Sequence, residues 1–282
     1  MSTIKLHDIG AKSRRRFSGV DSSMSYRSFF VTVVFLIFLG SAHLVAAADD
    51  CTKPSASPPS ETGQPRNLAG LKSQLSFYEC SGAYSRDIKT QIDKAIAYVT
   101  QRAKSGTKLA IVLDIDETAL SNWEEIKAND FGLIETGPCT ISKTNPSPWP
   151  IPDTPCGFNA WILLADAKPL DTLRLFQAAK ENKVAVFFIT GRHEEENTKD
   201  SHPVLDATVE NLHKAGYTDW VGLYLKPADD KESIQEFKTA KRKQIREMGY
   251  TIVVNVGDQY SDLRGGYAER VYKLPNPFYF VP

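Results

Sequence analysis

The sequence predicts an α/β fold: a doubly wound parallel sheet with a small cap inserted after the first core strand. Three observations carry this. Short apolar runs alternate with amphipathic helical stretches between residues 88 and 274. The run Val184-Ala185-Val186-Phe187-Phe188-Ile189 is apolar at every position, as a strand covered on both faces must be. The alternation is interrupted between Asn122 and Lys168 by a segment too long for a plain loop.

At 282 residues the chain is long enough to bury a sizeable core, and its 34 Lys plus Arg balance 34 Asp plus Glu. That balance leaves no global basic footprint for a nucleic acid polymer and no polyacidic tail. The first residues differ from the rest. Lys12, Arg14, Arg15, Arg16 and Arg27 precede an apolar run from Phe29 to Ala48 that ends in Ala46-Ala47-Ala48-Asp49. A basic stretch, an apolar stretch and small residues before a polar one form the pattern of a secretory signal, with cleavage after Ala47 or Ala48. An uncleaved signal anchor over residues 29–48 is the rival, since the run is just long enough to span a bilayer. Both readings place the remainder of the chain across a membrane, exported to a secreted, periplasmic or other extracytoplasmic site. The four cysteines, Cys51, Cys80, Cys139 and Cys156, fit export as two disulfides. The simplest pairing is Cys51–Cys80 with Cys139–Cys156, although spacing leaves three pairings open; no zinc-site spacing is present.

Residues 52–66 have the Pro- and Ser-rich composition of an extended linker. Ile88, Ile92, Ile96, Val99 and Ala103 then recur at helical spacing until Gly106. Leu109–Leu113 reads as the first core strand. Pro169 is expected to start a helix through Leu173, Phe176 and Ala179, closed by Asn182. After the apolar strand at 184–189, a helix runs from about Leu205 to Ala215, with Gly216 behind it. A strand follows over Trp220–Leu225, then a helix with Ile234, Phe237, Ile245 and Met248 up to Gly249. Thr251–Val256 and Arg270–Leu274 complete the strands. The interrupting segment, with Trp123, Phe131, Cys139, a Pro-rich run, Cys156, Phe158 and Trp161, follows the first strand directly. It is expected to cap that strand's end.

Chemistry concentrates at the strand ends, where α/β sheets place their sites. The first strand runs into Asp114-Ile115-Asp116-Glu117-Thr118, two carboxylates one residue apart at the edge of the core. The second ends in Thr190-Gly191-Arg192, where a hydroxyl and backbone amides can hold a phosphate oxygen. The fourth ends in Gly257-Asp258-Gln259-Tyr260-Ser261-Asp262; more carboxylates there crowd like charges unless a cation lies among them, and hard oxygen ligands suit Mg²⁺. Lys238 and Lys241 on the preceding helix, and Lys226 at the third strand's end, are candidate cations for a phosphate.

These segments, in this order, resemble the four motifs of the haloacid dehalogenase (HAD) superfamily. Within it, the chain is similar to exported acid phosphatases of subfamily III with a D-x-D-E-T start: bacterial class B and C enzymes, and the plant acid phosphatase and vegetative storage protein branch. Thr190 through Glu194, Asn211-Leu212, Ala215-Gly216-Tyr217 and Trp220 resemble the plant branch most. The resemblance covers about residues 75–275 and implies a HAD-like domain over 76–282 with its cap at about 121–168. Residues 49–75 are then a linker, and residues 1–48 the signal or anchor. It implies that Asp114 attacks phosphorus, giving an aspartyl phosphate, and that Asp116 protonates the leaving alcohol and then activates water. Thr190 and Gly191 would bind phosphoryl oxygens. Lys238 would fill the third motif, because it follows an aromatic residue and precedes Arg242, with Lys241 as fallback. Mg²⁺ would take a carboxylate oxygen of Asp114, the main-chain carbonyl of Asp116 and Asp258, with Asp262 supporting from behind. The implied substrate is a small phosphomonoester, a nucleotide stacked on Trp123 or Trp161 being the form suggested by class C enzymes.

Three rivals share these residues. A storage or binding protein on the same fold would have lost catalysis, yet the nucleophile position holds Asp114. A binding module using the cap would ignore Asp114 altogether. A phosphotransferase would pass the phosphoryl group to an alcohol instead of water. Histidine-based chemistry is disfavoured, since His193 and His202 lie in no nucleophile motif.

Overall fold

The computed structural model describes residues 51–54, 66–139, 156–193 and 202–281. The apolar run at 29–48 and most of the Pro-rich linker lie outside them, as do residues 140–155 of the insertion. Among the described residues no helix is long and apolar enough to cross a membrane.

Helix α1 (Leu68–Cys80) is capped by Asn67, whose side chain accepts the Gly70 amide at 3.1 Å. It occupies the last part of the stretch expected to be linker. Leu68, Leu71, Leu75 and Tyr78 repeat at helical spacing, and Leu75 and Tyr78 pack on the core. Cys80, at its end, forms a disulfide with Cys51. Helix α2 (Ala83–Arg102) buries Ile88, Ile92 and Val99 of the stripe read from the sequence, together with Ala95, while Ile96 and Ala103 are partly buried.

The central sheet has five strands in the order β5-β4-β1-β6-β7, all parallel. They are β1 (Leu109–Leu113), β4 (Ala185–His193), β5 (Gly222–Lys226), β6 (Thr251–Gly257) and β7 (Ala268–Lys273). Strand β1 is buried along its whole length, and its alternate side chains separate the two core layers. Leu109, Ile111 and Leu113 face the cluster holding α2, α5 (Thr172–Glu181) and α6 (Pro203–Lys214). Ala110 and Val112 face Phe237 and Ile245 of α7 (Ile234–Glu247) on the other side. From β1 the chain moves outward to β4 and β5, then returns past β1 to β6 and β7. The crevice at this reversal opens at the strands' C-terminal ends, beside Asp114.

The insertion leaves and re-enters through a narrow neck. Strand β2 (Leu120–Ser121) pairs antiparallel with β3 (Lys168–Pro169). Between them lie α3 (Trp123–Ala128) and α4 (Phe158–Leu164), and a disulfide joins Cys139 to Cys156. Both disulfides therefore match the simplest pairing. Pro169 does not begin a helix. It stands opposite Leu120, and the Leu170 amide bonds Ala119 O at 3.0 Å, so the neck holds this segment extended and α5 starts at Thr172.

Candidate active site

The site begins with a turn. After β1, the amides of Thr118, Ala119 and Leu120 all bond the Ile115 carbonyl, and Glu117 takes a left-handed conformation with φ 52°. A side chain rarely adopts this backbone unless its surroundings fix it. Here the Glu117 carboxylate accepts the Asn122 amide at 2.6 Å, the Asn122 side chain at 3.0 Å and the Tyr279 hydroxyl at 2.6 Å. The turn presents Asp114 and Asp116 to a cavity of about 630 Å³ at the strand ends.

Asp114 is buried, and the Lys238 ammonium donates to its Oδ1 at 2.5 Å and to Asp262 Oδ1 at 2.6 Å. Burial opposes the charge on Lys238, but Asp114 and Asp262 outweigh it and hold the lysine protonated. Burial raises the Asp114 pKa; Lys238 opposes this, while Asp262, Asp258 and Asp116 add to it. Lys241, three residues on, points elsewhere: its Nζ lies 5.6 Å from the Tyr224 ring centre and 5.4 Å from that of Phe237. Lys226 bonds the Asp230 carbonyl at 2.5 Å.

On β6, a Cβ at Gly257 would overlap the Asp262 side chain, so only glycine lets the loop fold back here. Asp262 Oδ2 accepts the Gln259 amide at 2.7 Å. Asp258 accepts Thr118 Oγ1 at 3.1 Å on one oxygen, and on the other Gln259 Nε2 at 2.7 Å and Asn276 Nδ2 at 2.8 Å. Burial, then the charge of Asp262, pushes Asp258 up to about 7. Carboxylate oxygens of Asp114, Asp258 and Asp262 lie within 4.8 Å of one another. One ammonium does not balance this charge, and the all-oxygen donor set suits a hard divalent cation. These residues fit a divalent metal ion.

Strand β4 continues through Thr190-Gly191-Arg192 to His193, beyond the 184–189 run read from the sequence. A register shift against β5 between Ile189 and His193 bends it, and Gly191, Arg192 and His193 line the cavity. Thr190 is fully buried beneath them, its Oγ1 accepting the Arg192 amide at 3.0 Å. Arg192 grips Asp116: Nη2 donates to Oδ1 at 2.7 Å and Nε to Oδ2 at 3.1 Å. Burial would raise Asp116, but the Arg192 charge and hydrogen bonds outweigh it and hold the pKa below the usual value. Asn122 adds a bond to Asp116 Oδ1 at 3.0 Å, and Trp161 of the insertion donates to Asn122 Oδ1 at 2.8 Å.

Asp114, Asp116, Gly191, Lys238, Asp258 and Asp262 thus line one cavity, with Thr190 just behind it. Sequence reasoning missed the parts played by Arg192 and Glu117, which lie inside quoted motifs, by Asn122 beyond the first of them, and by the C-terminal segment after β7. That segment brings Asn276 to Asp258 and Tyr279 to Glu117. Neither Trp123 nor Trp161 lines the cavity, which corrects the expectation that one of them stacks on substrate. Trp123 packs against Phe131 and Phe278, and Trp161 is buried on Asn122. Among the described residues, the aromatic ones that line the cavity are Phe131, Phe158, Phe278, Tyr279 and Phe280.

Paired aspartates, a buried lysine and two further carboxylates thus surround the strand-end crevice of a doubly wound α/β fold. The family model for HAD superfamily subfamily IIIB (acid phosphatase) matches residues 62–282, and the chain belongs to this family. It is 30% identical over 205 residues to vegetative storage protein 1 of Arabidopsis thaliana, covering 72% of this chain and 67% of that protein. It is 32% identical over 203 residues to the stem 28 kDa glycoprotein of Glycine max, covering 70% of each. Acid phosphatase 1 of Solanum lycopersicum is 32% identical over 173 residues, covering 60% of this chain and 58% of that protein.

Proposed function

We propose that the chain is an exported, Mg²⁺-dependent acid phosphatase that hydrolyses phosphomonoesters through an aspartyl phosphate on Asp114. The observation that carries this is the Lys238 ammonium, bonded at once to Asp114 and Asp262 inside a cavity that also holds Asp116 and Asp258. In the first step Asp114 attacks phosphorus, the bond to the ester oxygen breaks, and Asp116 gives that oxygen its proton. In the second, Asp116 takes a proton from water, which attacks the aspartyl phosphate, releases inorganic phosphate and restores Asp114. Arg192 keeps Asp116 ionised in the free protein. An entering phosphate dianion raises its pKa again, so proton uptake accompanies substrate binding and favours acidic to neutral pH. Gly191 and the Thr190 hydroxyl would bind phosphoryl oxygens, and Lys238 balances their charge. Mg²⁺, held by Asp114, the Asp116 carbonyl and Asp258, would neutralise the crowded carboxylates and polarise the phosphoryl group.

Export is supported by the basic and apolar leading segment and by two disulfides, which persist in oxidising compartments. The storage proteins among the relatives favour one alternative, a reserve protein on the same scaffold. Hydrolysis of p-nitrophenyl phosphate with Mg²⁺ separates the two. Turnover that disappears in Asp114→Asn and after thorough EDTA treatment supports the enzyme, whereas equal, negligible rates for both chains leave only the reserve protein. Product analysis with added glycerol separates hydrolysis from transfer to an alcohol.

A further inference from the structure

Asn122 stands where the insertion leaves the core, immediately before α3. An asparagine at this position ordinarily turns its side chain to an amide of the helix's first turn. Asn122 makes no such bond. Its amide faces three other groups: Nδ2 donates to Asp116 Oδ1 at 3.0 Å and to Glu117 Oε2 at 3.0 Å, and Oδ1 accepts Trp161 Nε1 at 2.8 Å. Asn122 is 1% exposed and Trp161 4%, so these bonds are shielded from water.

The three partners agree on one orientation. An indole N–H can only donate, so the amide oxygen must face Trp161 and the amide nitrogen the two carboxyl groups. Trp161 belongs to α4 of the insertion, and Glu117, which also accepts the Asn122 main-chain amide at 2.6 Å, to the turn after β1. Asn122 is thus held from both sides. The consequence falls on Asp116. Its Oδ1 accepts Asn122 Nδ2 and, at 2.7 Å, Arg192 Nη2, while Arg192 Nε lies 3.2 Å from Oδ1 and 3.1 Å from Oδ2. Two donors take both lone pairs of Oδ1, so a proton arriving at Asp116 goes to Oδ2.

We infer that Asn122, oriented by Trp161, is a positioning residue for proton transfer: it anchors Asp116 Oδ1 and leaves Oδ2 to carry the proton. The inference rests on the phosphatase reading for the reaction and on the Asn122 contacts for the assignment. As the bond from phosphorus to the ester oxygen breaks, its electron pair stays on that oxygen and takes the proton from Oδ2. In the second step Oδ2 receives a proton from the attacking water. A strongly basic leaving alkoxide needs the first of these protons, whereas a dinitrophenolate leaves without it.

The test compares benzyl phosphate with dinitrophenyl phosphate on the exported chain in Mg²⁺, reading kcat/KM, which reports the step that expels the leaving group. Asn122→Leu keeps the approximate shape and removes the donor. It should lower kcat/KM for benzyl phosphate at least about tenfold more than for dinitrophenyl phosphate, within the range of a positioned acid. Trp161→Phe keeps the ring packing and frees the amide to turn, so it should show the same split to a smaller extent; it serves as the second variant should Asn122→Leu not fold. A merely structural role would lower both esters alike. An equal loss on both, or no loss on either, would overturn the role while leaving hydrolysis standing. A split in Asn122→Leu alone would remove Trp161 from it. A wild-type chain that hydrolyses only dinitrophenyl phosphate has no working acid and overturns the role as well. A wild-type chain inactive on both esters would remove the reaction itself, and the role with it.

Discussion

Asp114 and Asp116 are one residue apart, yet their surroundings separate them. Asp114 meets a buried lysine and other carboxylates, while Asp116 meets a guanidinium and an amide. In the proposed reaction these two settings serve the nucleophile at one position and the proton carrier at the other. Lys238 and Lys241 show the same sorting on one helix. The sequence offered both, since Lys238-Thr239-Ala240-Lys241 gives no rule for choosing without the family pattern. Helical geometry turns Lys238 inward to Asp114 and leaves Lys241 over the ring of Tyr224. Lys238→Met should therefore reduce kcat by about 10²–10³-fold, the loss found on removing a preorganised charge-stabilising group. Lys241→Met should leave steady-state rates on p-nitrophenyl phosphate near wild type, and a comparable loss in both variants would contradict the assignment.

The elements that were legible are those whose apolar period is long and unbroken. Strand β1, the run in β4 and helix α2 all stand where periodicity placed them. Apart from α1, which stands in the stretch expected to be linker, the elements that were not legible are short, or defined by contacts from afar. Helix α3 spans six residues and α8 (Tyr260–Leu263) four, too few for a period to show. The C-terminal segment Leu274-Pro275-Asn276-Pro277-Phe278-Tyr279 has no period at all, and its role follows from β7 delivering it across the site. The Leu274 amide bonds the Gly257 carbonyl at 2.9 Å, and Val281 N donates to Gln259 Oε1 at 3.3 Å. This segment thus orients Asp258 from outside the sheet, as partners behind metal ligands commonly do. Asn276→Ala should weaken Mg²⁺ activation by about 10–100-fold in the half-saturating concentration, with little change in melting temperature. A Mg²⁺ titration of the rate checks this, and an unchanged midpoint would detach the segment from the metal.

At the scale of the whole molecule, the fold buries more acid than base at one point. Desolvation first, and then neighbouring charges, pushes Glu117, Glu125 and Asp258 each up to about 7. A carboxyl whose pKa is higher folded than unfolded binds its proton more tightly in the native state. Its contribution is complete below the unfolded value near 4 and is lost as pH rises through about 7, each unit being worth about 1.4 kcal/mol. Asp116, with a lowered pKa, acts in the opposite sense, but below this window. The metal-free protein should therefore melt at a lower temperature at pH 8 than at pH 5. Added Mg²⁺ should raise the melting temperature more at pH 8, where the carboxylates are ionised. Calorimetric scans at both pH values check the sign, and a metal-free protein more stable at pH 8 would refute it. The reaction itself is tested most directly by rapid quenching in acid during turnover of a phosphate-labelled aryl ester. The account predicts label on the peptide containing Asp114, chased away by unlabelled substrate and absent in Asp114→Asn. Label on His193 or His202, or turnover in Asp114→Asn at the wild-type rate, would contradict it.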